Sequence, residues 1–160
     1  MKAVLRTIVL SLVLASCTAM AAGDPGAASA PRPPADPVLE RVAAATSQKD
    51  WAGAQSILME ALARNPRNAD YNNLYAYAIR KGANPDMSLV FKHYNEALSI
   101  DPKHRQAHEY LGEAYLMVGN VAKAKEHLAQ LDSICFFSCS EFTDLKNAIG
   151  EYEKKQAAAR

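Results

Sequence analysis

The sequence predicts an all-α solenoid: three helical hairpins in a row, closed by one further helix. Three observations carry that prediction. Three segments align when their prolines are set in register, "DWAGAQSILMEALARNP" ending at Pro66, "DMSLVFKHYNEALSIDP" ending at Pro102 and "NVAKAKEHLAQLDSICF", which gives a unit of about thirty-four residues. Turn residues recur at the unit boundaries: Asn65-Pro66, Gly82 to Pro85, Asp101-Pro102 and Gly119-Asn120 each pair a helix stop with a start. No segment alternates apolar and polar residues long enough for a strand.

The elements follow in order. The opening "MKAVLRTIVLSLVLASCTAMAAG" runs from Lys2 and Arg6 through an apolar stretch, Ile8 to Ala15, into small residues, the pattern of an export signal over residues 1–21. The apolar run is far shorter than the roughly 20 residues of a membrane span, so no transmembrane helix is expected. Residues 22–36, rich in Ala, Pro and Gly, form a linker. Helices are expected over 37–46, 50–64, 69–81, 86–99, 103–118, 121–133 and 140–157. Small residues at Ala76 and Gly112 let paired helices approach, while Leu111, Ala114 and Tyr115 recur at helical spacing on an apolar face. Residues 139–157 are read as a cap with the stripe Phe142, Leu145, Ile149 and Tyr152, because the last repeat otherwise leaves an apolar face in water. Ser140 is its expected N-cap. Glu141 and Asp144 near its start, and Lys154 and Lys155 near its end, suit the helix dipole.

Over residues 37–138 the units resemble tetratricopeptide repeats (TPR). The third carries the resemblance best: "HEYLGEAYLMVGNVAKAKEHLAQL" sets Leu111, Gly112, Tyr115, Ala124 and Leu128 at the family's packing positions. The second reads Ala76, Tyr94, Ala97 and Pro102, with two extra residues around "GANPD". In the first, Ala54, Leu58, Ala61 and Pro66 fit, whereas Arg41 and Val42 replace the expected residues. The resemblance implies a protein-binding scaffold and no catalytic machinery. Its groove positions fall on Asn73, Tyr77, Arg80 and Lys81, then on Gln106, Glu109, Glu113 and Met117. One helix therefore presents basic residues and the next acidic ones, which suits either a neutral or bipolar extended ligand or a salt bridge between the helices. Glu109 and Glu113 would repel the C-terminal carboxylates that the family's chaperone-binding clamps hold.

Composition narrows the partners. Removing the signal, with Lys2 and Arg6, leaves 16 Lys plus Arg against 17 Asp plus Glu, no electrostatic basis for binding nucleic acid. The sequence has no H-E-x-x-H, phosphate loop or nucleophile-base pattern, so no cofactor is expected and the chain reads as a non-enzyme. His93, His104, His108 and His127 share no ligand spacing.

Cysteine usage bears on compartment. "LASC", Leu14 to Cys17, resembles the lipobox of bacterial lipoproteins, in which the cysteine is acylated; "AMA", Ala19 to Ala21, fits ordinary signal peptidase. The stretch from Thr18 to Asp36 would tether a lipidated chain, giving a periplasmic protein with the outer membrane as its site of attachment. Membrane contact is expected only through that lipid. Either cut leaves Cys135 and Cys139, an even pair in a compartment where disulfides persist. A staple at the turn before the cap, with Phe136 and Phe137 tucked into the joint, is the leading reading. The alternative is a copper-handling site built on both thiolates, with His127 and Met117 nearby.

Overall fold

The computed structural model describes residues 35–137 and 139–159. The expected export signal, Cys17 and nearly all of the linker lie outside them. Seven helices and no strands occur among the described residues: α1 (Pro37–Ser47), α2 (Trp51–Arg64), α3 (Ala69–Lys81), α4 (Met87–Ile100), α5 (Arg105–Met117), α6 (Val121–Ile134) and α7 (Ser140–Ala158). No described helix is long and apolar enough to cross a membrane.

The starts of the first six helices are fixed by side chains that accept otherwise unpaired N–H groups. Asp36 accepts from Val38, Asp50 from Gly53, Asn68 from Tyr71, Asp86 from Leu89 and Asn120 from Lys123. For α5 the cap is an imidazole: His104 Nδ1 accepts from the Ala107 N–H at 3.2 Å. These caps explain why α2, α4 and α5 begin one or two residues later than expected, since Asp50, Asp86 and His104 stand outside the helices they start. The cap of α7 corrects the sequence reading. Cys139, not Ser140, is the N-cap and makes no side-chain capping bond, while Ser140 Oγ turns to Glu141.

Each helix packs against its neighbour in the chain, and α5 also packs against α3 and α7. The apolar interior falls into three clusters along the array, as expected when each unit buries its face against the next. One joins α1, α2 and α3 through Val42, Leu58, Ala61 and Tyr71. The second gathers Ala76, Ile79, Val90, Tyr94, Leu111 and Ala114 from α3, α4 and α5. The third closes the end, with Leu145 and Ile149 of α7 against Leu116, Ala124 and Leu131. Gly112 makes that closure tight: a Cβ there would lie 2.6 Å from Leu145 Cδ2.

Cys135 and Cys139 form a disulfide across the α6–α7 turn, their Cα atoms 5.8 Å apart, within the usual range. Phe136 and Phe137 do not tuck into the joint. They are 93% and 84% exposed and pack edge to face on each other. In this short loop Phe136 and Phe137 face outward, beside the bridged cysteine. The Cys135→Ser/Cys139→Ser variant is expected to lose about 2 kcal/mol of stability by the loop-closure argument. Unfolding of wild type with and without reductant checks this, and the double variant should show no response to reductant.

Candidate peptide-binding groove

Helices α3 and α5 meet along three rungs. Asn73 Nδ2 donates to Gln106 Oε1 at 3.3 Å across 33 residues of sequence. Tyr77 and Tyr110 stack with ring centroids 4.6 Å apart. Arg80 and Glu113 form an ion pair at 2.7 Å. The same 33-residue step relates all three pairs, so the repeat period itself brings the second unit's groove residues onto the third's.

Arg80 is the most heavily engaged of them. Its guanidinium is nearly buried, donates from Nε to the Tyr94 hydroxyl at 3.2 Å, and lies 5.6 and 5.5 Å from the ring centres of Tyr77 and Tyr110. Burial raises the Tyr94 hydroxyl pKa far above its ordinary value, so it stays a neutral acceptor for Arg80. Lys81 remains exposed above Tyr77, which is also met edge-on by Trp51. The salt bridge that the mixed charges allowed is therefore formed, and it removes Arg80 from the charges available to a ligand.

Beside the rungs, α1 adds an apolar wall. Leu39, Val42 and Ala43 of α1, Leu74 and Tyr77 of α3, and Gln106 and Tyr110 of α5 enclose an open recess of about 360 Å³, with Thr46 and Ser47 at its rim. Of the residues assigned to the groove from sequence, Tyr77 and Gln106 line this recess, with Asn73 buried behind Gln106. Met117 is exposed at the far end of α5 and does not line it. The α1 contribution was not among the sequence assignments. Arg41 and Val42 depart from the repeat pattern there, and that departure obscured the wall.

Glu109 stands apart from the rungs, on the side of α5 that faces α7. It is 8% exposed, and among the described residues no hydrogen bond or ion pair reaches its carboxylate. Burial, then the fields of Glu113, Asp144 and Glu141, push its pKa up to about 7, with Arg80 opposing. A carboxyl that holds its proton more tightly folded than unfolded stabilises the fold most below its unfolded pKa. That contribution fades between about pH 4.5 and pH 7. Glu109→Gln is therefore expected to stabilise the protein by about 1 kcal/mol at pH 8, after allowance for solvent screening, and to change little at pH 4. Urea unfolding at the two pH values measures it.

Two of the four histidines meet. His108 Nε2 donates to the Pro102 carbonyl at 3.1 Å, which leaves Nδ1 to accept from His127 Nδ1–H at 3.0 Å. Burial lowers both pKa values, that of His127 to about 4 with the help of His108. Depressed histidine pKa values act opposite to Glu109: the unfolded chain binds these protons first, so stability falls as pH drops from about 6.5 to about 4. In the Glu109→Gln background, unfolding free energy is expected to rise by about 1 kcal/mol as pH increases from about 4 to about 6.5, and then to level off. A flat profile there would contradict the assignment.

This arrangement lends no support to the copper alternative. His127 bonds to His108 and stacks on Tyr115, while both cysteines are consumed by the disulfide, so the supposed ligands are not assembled. Among the described residues no group of three or more His, Cys, Asp or Glu side chains is positioned to hold a metal.

No family model and no curated protein matches the sequence. Among solved structures the chain is similar to the Sgt2 TPR domain from Aspergillus fumigatus, with a TM-score of 0.65 and 22% identity over 81% of this chain and 83% of that one. The fold is TPR-like. Identity at this level speaks for architecture alone: a helical-hairpin solenoid, here with Asn73, Tyr77 and Arg80 of α3 set against Gln106, Tyr110 and Glu113 of α5.

Proposed function

We propose that this protein is an exported, non-catalytic TPR-like scaffold that binds an extended protein segment in the groove formed by α1, α3 and α5. The recess of about 360 Å³ carries the reading. It combines an apolar wall, two stacked tyrosines and polar groups at its edge, the composition of a site that anchors one side chain and orients the backbone around it. The signal-like N-terminus and the Cys135–Cys139 pair support a periplasmic address, with acylation of Cys17 as the means of attachment to the outer membrane.

Selection of a displayed random-peptide library on the purified chain tests the groove, with Ala43→Gln as the control. Ala43 is exposed at the recess, and glutamine is a good helix former long enough to fill it. Enriched peptides should lose at least about tenfold in affinity for Ala43→Gln. Equal affinity for both proteins would place binding elsewhere.

A further inference from the structure

An open apolar recess and an uncovered apolar knob occur in the same chain. Phe136 and Phe137 stand on the bridged α6–α7 turn, 93% and 84% exposed, and pack edge to face on each other. Neither belongs to any of the three apolar clusters, so the fold itself does not require two aromatic residues there. At about 150–250 Å² each, the pair offers an apolar patch of about 300–500 Å², a size that on a monomer is often functional. The recess between α1, α3 and α5 presents the stacked rings of Tyr77 and Tyr110 to an entering side chain, and aromatic rings pack edge to face or offset against one another. Phe136 and Phe137 do not line it in their own chain, so for them to fill it takes a second copy.

Charge favours that pairing. No Lys or Arg occurs between Lys125 and Lys146, while Asp132 and Asp144 are exposed on either side of the turn. The recess is edged by the opposite sign. Lys81 is exposed above Tyr77, 6.0 Å from its ring centre, and Lys49 is exposed two residues beyond the rim residue Ser47. The acidic flanks also disfavour an anionic lipid surface, the other apolar phase that an exposed aromatic pair could enter.

We infer that the recess of one copy receives the Phe136–Phe137 knob of a second, so that the segment bound is the protein's own α6–α7 turn. This rests on the groove reading and names its partner. Knob and recess are different surfaces, so the contact is heterologous: a joined pair keeps a free knob and a free recess, and growth continues until a ring closes. The area is small. Two aromatic side chains and the walls they cover bury about 600–1,000 Å² in total, under the roughly 1,200 Å² at which stable interfaces begin, so association is weak, with Kd on the order of 100 μM.

Sedimentation equilibrium of the full chain between about 10 μM and about 1 mM tests this, alongside Ala43→Gln and the double variant Phe136→Ser/Phe137→Ser. All three positions are exposed, so both variants are expected to unfold at the wild-type temperature. The weight-average mass of wild type is expected to at least about double over that range, while each variant alone stays monomeric. Mixed in equal amounts, the two variants should form a one-to-one complex, because Ala43→Gln retains the knob and the serine variant retains the recess. A wild type that stays monomeric, association that survives either variant, or no complex on mixing would overturn self-recognition. Binding of wild type, but not of the serine variant, to phosphatidylcholine vesicles in place of self-association would assign the pair to a membrane and overturn it as well. In any of these cases, library peptides that lose affinity for Ala43→Gln would leave the groove reading standing, and their absence would overturn that reading too.

Discussion

Arg80→Ala is expected to destabilise the protein by about 3–5 kcal/mol, the range for removing one partner from a buried ion pair. The loss is large because one side chain serves several others. Without the guanidinium, Glu113 faces Glu109 uncompensated, the buried Tyr94 hydroxyl loses its donor, and Tyr77 and Tyr110 lose the cation against their rings. Glu109 should bind its proton still more tightly, since Arg80 is the group that opposes its upward shift. Arg80→Met combined with Glu113→Gln, which removes both charges and keeps most of the volume, should recover much of the loss. Urea unfolding of the single and double variants decides this; a loss below about 1 kcal/mol for Arg80→Ala would show the pair to be an ordinary surface contact.

At the other end of the array, Leu145→Ala is expected to cost about 2–5 kcal/mol, through lost burial and the cavity left under α7. Leu145 is fully buried and leans on Gly112, where an added Cβ would lie 2.6 and 2.7 Å from its two methyl carbons. Gly112→Ala alone should therefore destabilise by about 1–3 kcal/mol, overpacking outweighing the gain in helix propensity. In the Leu145→Ala background the sign should reverse. The clash is gone, and alanine's propensity advantage of about 1 kcal/mol remains. A double-mutant cycle with this sign change would establish that the glycine is required by α7 and not by the fold of its own hairpin.

The helices were legible because apolar spacing and turn residues mark the same units, although the exact starts of α2, α4, α5 and the cap of α7 were not. Asp36, Asp50, Asn68, Asp86 and Asn120 are the short polar caps that local chemistry favours, but Asp50 and Asp86 were read as first helical residues, one position inside the helices they cap. The disulfide was legible from the spacing of two cysteines at an inter-helix turn. What lay beyond reach depends on how hairpins stack. The charges that act on Glu109 include Asp144 and Glu141 of α7, more than thirty residues on, and its sequence context is that of an ordinary solvated glutamate. His108 and His127 are 19 residues apart on antiparallel helices, so their meeting follows from the tilt of one hairpin and not from any ligand spacing. Phe136 and Phe137 looked like core residues by composition. They face outward on the bridged turn instead.

The central claim, that the face shared by α1, α3 and α5 is the working surface, is tested most directly by amide hydrogen exchange of the full chain with and without a selected peptide. The account predicts slower exchange in the groove helices, over residues 37–47, 69–81 and 105–117, and little change in α4 and α6. Protection centred instead on the α6–α7 turn around Phe136 and Phe137, with the groove helices unaffected, would contradict it.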